Sequence, residues 1–172
     1  MTGYILKTLQ NTSDTTSFDC GDSDLNEFLK EDAVNNKNDW LSVTKILCED
    51  EKIIGFFTIT PDTLHKGRIN LQDKLQGYQY GKYPAIKLAR LAVDKQYQGK
   101  GIGKLLMKSF FKIARDIVDF EGGRFITVDA KQNAVTYYRQ YGFVHALGKA
   151  NETIVPMYLD FHAFYQKSME KQ

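Results

Sequence analysis

A glycine-rich loop between an apolar segment and an amphipathic helical pattern constrains this chain more than any other feature. The apolar segment runs from Ala85 to Val93, and the loop reads QGKGIG from Gln98 to Gly103. Gly101 and Gly103 remove side chains where a ligand must approach the backbone closely. The first N–H groups of a helix lack intrahelical partners and lie at its positive end, so the expected ligand is an anion. The sequence therefore predicts a strand–loop–helix unit that binds a phosphorylated cofactor.

The spacing of this loop excludes two common nucleotide-binding loops. A P-loop requires glycine where Gln98 stands and a hydroxyl where Leu105 stands. A dinucleotide-binding loop requires its last glycine at Lys104. The pattern that fits is [QR]-x-x-G-x-[GA], met by Gln98, Gly101 and Gly103. It resembles the pyrophosphate loop of the GNAT acetyltransferases, and a glycine-rich turn without a ligand is the alternative.

A second block in the C-terminal half carries the same resemblance. Ala134, Tyr138 and Gly142-Phe143 are in register with the A-x-x-x-Y-x-x-x-G-F signature of GNAT enzymes. The resemblance implies that Tyr138 lies by the cofactor sulfur and returns a proton to the thiolate leaving group as a general acid. Packing of a helix against the sheet is the alternative for Tyr138, and it is the expected role of the neighbouring tyrosines.

The resemblance also implies how acetyl-CoA is bound. The strand before the loop would line the pantetheine arm, the loop N–H groups would hold the pyrophosphate, and the backbone near Val93 would polarise the thioester carbonyl. Lys131 stands where many family members have an Asn that contacts the cofactor, and a lysine can face its phosphates. No metal is expected. The predicted cofactor-binding residues are Leu91, Ala92, Val93, Gln98, Gly99, Lys100, Gly101, Ile102, Gly103, Lys104 and Lys131.

The strand before the loop lacks an acidic residue between Ile86 and Val93, where many relatives place a glutamate as general base. The pKa of a lysine ε-amine is about 10.4, whereas the pKa of an α-amine is about 8, so an α-amine needs much less help to lose its proton. The missing carboxylate therefore favours an acceptor amine of low pKa.

A closer resemblance covers most of the chain. It rests on FDCGDSDLNEFLKEDA near the start, LQDKLQGYQYGKYPAIKLARLAVD before the loop, and VDAKQNAVTYYRQYGF with VPMYLDF after it. These blocks are similar to the tRNA-acetylating GNAT toxins of bacterial toxin–antitoxin pairs. The resemblance implies direct acetyl transfer to the α-amine of aminoacyl-tRNA and a cognate antitoxin, and it leaves a homodimer open. The alternatives are a GNAT enzyme acting on a small amine or a protein N-terminus, and a non-catalytic acyl-CoA- or RNA-binding module.

Basic residues follow the loop at intervals of four and form a positive stripe, composed of Lys100, Lys104, Lys108 and Lys112. Such a stripe can meet tRNA or the cofactor's phosphates, and a solvated helix face is the alternative. The predicted nucleic-acid-binding residues are Arg90, Lys100, Lys104 and Lys108. The single tryptophan, Trp40, is expected to be a core or hinge aromatic rather than a platform for base stacking.

Length and composition are those of one domain. The 172 residues are 42% apolar with a net charge of +2, and we expect one domain over residues 1–165 with a polar tail over residues 166–172. Cys20 and Cys48 have neither metal-ligand spacing nor a disulfide framework. The N-terminus lacks the apolar region of a signal peptide, and charges interrupt every apolar run. The sequence therefore predicts a soluble cytoplasmic protein.

Hydrophobic periodicity predicts an α+β fold with a mixed central sheet flanked by helices. Helices are expected from Asp22 or Ser23 to Ala33, over Ile102–Val118 and over Gln132–Tyr141. The long polar connection from Thr60 to Tyr83 is expected to be functional or mobile. The predicted strands are Tyr4–Leu9, Ser42–Leu47, Lys52–Ile59, Ala85–Val93, Arg124–Val128, Phe143–Leu147 and Ile154–Phe161.

Overall fold

Seven strands form a mixed sheet in this computed structural model, which describes residues 3–148 and 153–169. The strands are β1 (Tyr4–Thr8), β2 (Val43–Glu49), β3 (Lys52–His65), β4 (Lys82–Val93), β5 (Phe125–Lys131), β6 (Val144–His145) and β7 (Ile154–Asp160). Their order is β1-β2-β3-β4-β5-β7-β6. The pairing of β4 with β5 is parallel, and β1–β2, β2–β3, β5–β7 and β6–β7 are antiparallel. The predicted α+β class with a mixed sheet is confirmed.

Five α-helices accompany the sheet, and they are α1 (Ser23–Glu27), α2 (Ala33–Asn38), α3 (Ile102–Glu121), α4 (Val135–Arg139) and α5 (Phe161–Met169). The chain divides into two compact units of discontinuous segments. The first unit consists of residues 1–60 and 88–115, and the second of residues 61–87 and 116–172. No helix within the described residues is long and apolar enough to cross a membrane.

The core of the first unit joins the N-terminal helices to β2 and β3. Phe28 and Leu29 are buried in it, as their helical spacing predicts, and the ring of Phe56 packs edge-on against Phe18 at 5.4 Å. The side chain of Asp22 caps α1 by accepting the N–H of Leu25, which confirms the predicted helix start. A π-helical turn over residues 28–32 separates α1 from α2, and the periodicity did not predict it.

Trp40 is 90% exposed, so it is not a core aromatic, the first of the two roles expected for it. The N–H of Leu41 bonds to the carbonyl of Asn36 and the N–H of Trp40 to that of Lys37, the two bonds of a Schellman motif that ends α2. This motif requires a left-handed residue after the helix, and Trp40 takes that conformation with a φ of 60°. The helix end, rather than hydrophobic burial, therefore determines where this indole lies.

The second unit has a core of aromatic rings from β4, β5 and β7. The ring of Phe125 packs edge-on against both Tyr83 and Tyr158, at centroid distances of 5.2 and 5.7 Å. The hydroxyl of Tyr158 accepts the N–H of Asn70 at 2.9 Å, and that of Tyr83 accepts the N–H of Leu75 at 3.1 Å. The long connection between β3 and β4 is thus fixed to the core by tyrosine hydroxyls.

The C-terminal segment contains a helix that the sequence did not predict. Strand β7 ends at Asp160, and α5 continues to Met169, where a polar tail was expected from Gln166. The carboxylate of Asp160 accepts the N–H of Ala163 at 2.9 Å and so satisfies one donor of the first helical turn.

Gly55 is a point of close packing in the first unit and gives a test of that core. A Cβ atom there would lie 2.8 Å from Cδ1 of Leu106 and 3.1 Å from the carbonyl oxygen of Ala92. We expect Gly55→Ala to lower the free energy of unfolding by about 1–3 kcal/mol, the usual cost of overpacking, as measured by urea denaturation. Gly81→Ala is the matched control, because its Cβ would meet nothing within 4 Å. Equal effects of the two changes would contradict the packing at Gly55.

Candidate active site

The turn that connects β4 to the glycine-rich loop is built around Asp94, a carboxylate only 2% exposed. Its backbone N–H donates to the carbonyl of Ile54 at 3.0 Å, which ties the end of β4 to β3. Its side chain accepts the N–H of Gln96 at 2.9 Å and that of Asp19 at 3.3 Å. A buried carboxylate requires such partners, and here they fix the turn before the loop to the segment that precedes α1.

Asp19 and Lys95 hold the segment before α1 against the same turn. The N–H of Lys95 donates to the Asp19 carbonyl at 2.8 Å, and its ammonium bonds the Asp19 carboxylate at 2.5 Å. This ammonium, with further donors from Gly21 and Asn26, lowers the pKa of the Asp19 carboxyl. The sequence analysis missed Asp19 and Asp94, although an aspartate directly between an apolar strand and a glycine-rich loop was a usable signal.

Gln98 has a structural role in the loop. Its Nε2 donates to the carbonyl of Cys20 at 2.9 Å and to the carbonyl of Val93 at 3.0 Å. The side chain therefore joins the end of β4 to the segment before α1 across 78 residues of sequence. These contacts use both N–H donors of the Gln98 side chain, so the donor that this residue can offer to an anion is its backbone N–H.

The two exposed glycines of the loop have backbones that other residues rarely adopt. Gly99 and Gly101 have φ values of +73° and +84°, and a Cβ at either position would project into open space. The carbonyl of Gly101 accepts the N–H of Leu105 at 3.1 Å, so helical bonding begins at Gly101. Ile102, the first residue of α3, is buried and fixes the helix to the core. The loop thus presents backbone and open space at a helix start, a suitable cradle for an anionic group.

The lysines of the predicted positive stripe surround this cradle and follow α3. Lys100, Lys104 and Lys108 are exposed, and the ammonium of Lys100 lies 5.3 Å from the ring centroid of Tyr97. Arg90 differs, because its guanidinium stacks on the ring of Phe28 at 3.6 Å and is half-buried. Burial lowers the pKa of Arg90, although the guanidinium remains charged.

The strand residues predicted to line the cofactor lie at the end of β4 in the first unit. Leu91 and Val93 are half-buried, and Ala92 is buried in the core. The carbonyl of Val93 already accepts the side chain of Gln98. Lys131 belongs to the second unit, where it ends β5 and is half-buried.

Tyr138 lies on α4 in the second unit and is 6% exposed. Its ring packs edge-on against Tyr137 and Phe143, with centroids 5.4 and 5.6 Å away. Burial raises the pKa of the phenol, so it remains protonated at neutral pH. Among the residues that the structure describes, none forms a hydrogen bond with its hydroxyl.

The other core tyrosines of this unit use their hydroxyls. Tyr158 donates to the Asp73 carboxylate at 2.6 Å, Tyr83 accepts a backbone N–H, and Tyr141 donates to Tyr137 at 3.5 Å. The hydroxyl of Tyr138, by contrast, has no hydrogen-bond partner among the described residues, which leaves it available to a ligand. This observation favours a chemical role for Tyr138 over the packing alternative.

Neither cysteine forms a disulfide, and the described residues contain no cluster of His, Cys, Asp or Glu side chains that could hold a metal ion. The described residues therefore offer three chemical features, which are a backbone cradle for an anion at the start of α3, a protonated phenol at Tyr138 and a row of exposed lysines.

Comparisons with known proteins identify the family to which these features belong. A family model described as an acetyltransferase (GNAT) domain matches residues 19–158. The tRNA-acetylating toxin of Mycobacterium tuberculosis is 28% identical over 151 residues, covering 83% of this chain and 86% of that protein. AtaT complexed with acetyl-methionyl-tRNAfMet superimposes with a TM-score of 0.86 at 23% identity, over 96% of this chain and 99% of that chain. A mutant AtaT toxin bound to the C-terminus of the antitoxin AtaR and acetyl-CoA superimposes with a TM-score of 0.76 at 21% identity, over 96% of this chain and 98% of that chain. These superpositions show the fold.

The anion cradle can be tested at Gly101. We expect Gly101→Asp to abolish binding of coenzyme A in a calorimetric titration, because it adds bulk and negative charge to the open space at the start of α3. Gly77→Asp is the matched control, since Gly77 has a similar φ of +77° and equally open surroundings. Unchanged affinity in a folded Gly101→Asp protein would contradict the cradle, whereas Gly77→Asp should bind as the wild type does.

Proposed function

This chain belongs to the GNAT acetyltransferase family, and we propose that it transfers the acetyl group of acetyl-CoA to the α-amine of aminoacyl-tRNA. The observation that carries the choice of acceptor is the similarity to a tRNA-acetylating toxin, at 28% identity over 151 residues. The three sequence blocks FDCGDSDLNEFLKEDA, LQDKLQGYQYGKYPAIKLARLAVD and VDAKQNAVTYYRQYGF support it. By analogy with that relative, we infer a toxin whose partner is a cognate antitoxin.

The residues around the loop fit the pyrophosphate of acetyl-CoA. Gly99 and Gly101 leave open space above the backbone, and the first turn of α3 offers N–H donors at the positive end of the helix. Lys100 and Lys104 add two exposed cations on either side of Gly101. The side chain of Gln98 keeps the loop in this conformation through its bonds to Cys20 and Val93.

Tyr138 supplies the proton that the leaving group requires. Acetyl-CoA carries its acetyl group as a thioester, so transfer to nitrogen forms a carbon–nitrogen bond, breaks the carbon–sulfur bond and leaves the sulfur as a thiolate. The Tyr138 hydroxyl gives its proton to that sulfur and recovers one from solvent after the product leaves. Burial keeps the phenol protonated until that step, and its hydroxyl has no competing partner among the described residues.

An aminoacyl-tRNA supplies both features that the chain is suited to bind. Its α-amine has a lower pKa than a lysine side chain, so a larger fraction of it is neutral at physiological pH. Its phosphates match the exposed lysines of α3, which recur every four residues and so lie along one face of the helix. A free amino acid has the α-amine without the phosphates, and the side chain of a lysine peptide has neither feature.

The role of Tyr138 can be tested by removing only its hydroxyl. We expect Tyr138→Phe to lower the turnover rate by about 10²–10⁴-fold at saturating acetyl-CoA, the usual contribution of a general acid, while the ring packing is retained. Tyr137→Phe is the control, because its hydroxyl already bonds to Tyr141. A Tyr138→Phe enzyme that turns over at the wild-type rate would assign Tyr138 to the core alone.

The acceptor can be identified by offering charged tRNA, free amino acids, polyamines and lysine peptides with labelled acetyl-CoA. We expect charged tRNA to be acetylated far better than the others and its rate to fall steeply with added salt, since phosphate contacts release counterions. Expression without an antitoxin should arrest bacterial growth, and Tyr138→Phe should relieve the arrest. Efficient acetylation of a small amine with charged tRNA left unmodified would contradict the proposed acceptor.

The lysine stripe can be tested in the same assay. Lys108→Glu is expected to weaken the use of charged tRNA and to reduce the salt slope by about one unit, with acetyl-CoA affinity unchanged. Lys30→Glu is the matched control, because it reverses an exposed lysine outside the stripe. Equal losses in both variants would mean that net charge, rather than the stripe, attracts the tRNA.

A further inference from the structure

Asp62 on β3 has a carboxylate whose orientation is fixed by two hydrogen bonds. Its Oδ2 accepts the hydroxyl of Thr127 at 2.5 Å, and its Oδ1 accepts the N–H of Thr63 at 2.7 Å. Thr127 belongs to β5, and β4 lies between β3 and β5 in the sheet. The carboxylate therefore reaches across β4, at the level where Lys87 pairs with Thr127.

Thr127 is a polar residue in the apolar part of β5. It is 7% exposed and lies between Ile126 and Val128, both of which are buried in the core. A buried hydroxyl destabilises the fold unless it has a hydrogen-bond partner, and valine would fill the same space without that requirement. The bond to Asp62 satisfies the hydroxyl, and its effect is to hold the carboxylate in one position.

Asp62 differs from the neighbouring carboxylates in its lack of a cationic partner among the described residues. Asp129 pairs with Lys87 and Asp160 with Arg124, each at 2.5 Å. No lysine or arginine of the described residues pairs with Asp62, which is half-buried and keeps lone pairs accessible. A fixed carboxylate without a cation of its own is a suitable binding group for an ammonium that arrives from solution.

We propose that Asp62, held by Thr127, binds the amino group of the acceptor and receives the proton that this nitrogen loses. The inference rests on the proposed acetyl transfer and names the group that receives the amine. An acceptor that arrives as an ammonium first gives one proton to the Asp62 carboxylate, which passes it to solvent and leaves the neutral amine that attacks. When this nitrogen bonds to the acetyl carbon, it carries a positive charge and one proton more than the amide product. That proton passes to the Asp62 carboxylate and then to solvent, while the sulfur takes the proton of Tyr138. Thr127 is a positioning residue that acts through Asp62.

This assignment supplies the acid that the sequence lacks on β4. Between Ile86 and Val93 no residue can act as a carboxylate base, and the sheet instead brings one from β3 across that strand. An α-amine with a pKa of about 8 is still largely protonated at pH 7, so a nearby base raises the reactive fraction even for this acceptor.

The test compares Asp62→Asn with Asp129→Asn, the same change at a neighbouring carboxylate that already has a cation. Turnover is measured between about pH 6 and pH 9 at saturating acetyl-CoA, with whichever amine the wild-type protein acetylates. Asp62→Asn should lower kcat by about 10²–10⁴-fold at neutral pH, and the loss should shrink as rising pH lets hydroxide take the proton. Asp62→Glu should recover part of the rate, and Thr127→Val should lose about tenfold with the same pH trend.

Two results would overturn the assignment. One is an Asp62→Asn protein with the wild-type rate at neutral pH. The other is a loss of turnover in Asp62→Asn that is constant with pH and accompanied by weaker coenzyme A binding, which would make the Asp62–Thr127 bond purely structural. If Asp62→Asn does not fold, the pH dependence of Thr127→Val distinguishes a role in proton transfer from a structural one. A wild-type protein that acetylates a small amine but no tRNA refutes the proposed acceptor and leaves the test of Asp62 intact. A wild-type protein that acetylates no amine refutes both.

Discussion

The buried carboxylate of Asp94 is the constraint on which the glycine-rich loop of the first unit depends. A charge that is 2% exposed must be satisfied by hydrogen bonds, and the available donors are the N–H groups of Gln96 and Asp19. Those two bonds determine where the chain turns after β4 and where the segment before α1 lies. Gln98 then completes the arrangement with its bonds to Cys20 and Val93. The glycines of the loop can present open backbone to an anion because these bonds fix the polypeptide before them and the burial of Ile102 fixes it after them.

Short-range sequence patterns predicted the helices and strands. The residue roles that these patterns missed depend on hydrogen bonds between residues far apart in the sequence. The strand–loop–helix unit from Ala85 onward, the cap at Asp22 and the helix start at Ile102 could be predicted because each depends on neighbouring residues. The role of Gln98 could not, since its partner Cys20 is 78 residues away. The role of Asp62 is similar, because a carboxylate on β3 meets a hydroxyl on β5 only after the sheet has formed.

Hydrophobicity was a poor guide where backbone geometry determined the outcome. Trp40 was expected to be a core or hinge aromatic, yet the Schellman motif after α2 exposes it in a left-handed conformation. Helix α5 was missed because the polar residues after Gln166 resemble a tail, although the carboxylate of Asp160 caps the helix by accepting the N–H of Ala163. The position of Tyr138 followed from a motif, and only the structure revealed that its hydroxyl lacks a partner among the described residues.

The choice among acceptors requires more than the proposed pair of Asp62 and Tyr138. Every candidate acceptor carries an ammonium and every acetyl-CoA reaction releases a thiolate, so neither residue can distinguish one amine from another. The connection between β3 and β4 begins four residues after Asp62, and the hydroxyls of Tyr158 and Tyr83 fix it to the core. In this connection, Leu71 is 80% exposed and Tyr80 is 74% exposed. Apolar groups on a fixed segment can bind a partner without the cost of ordering that segment, so discrimination between amines requires contacts of this kind rather than the charge of Asp62 or the proton of Tyr138.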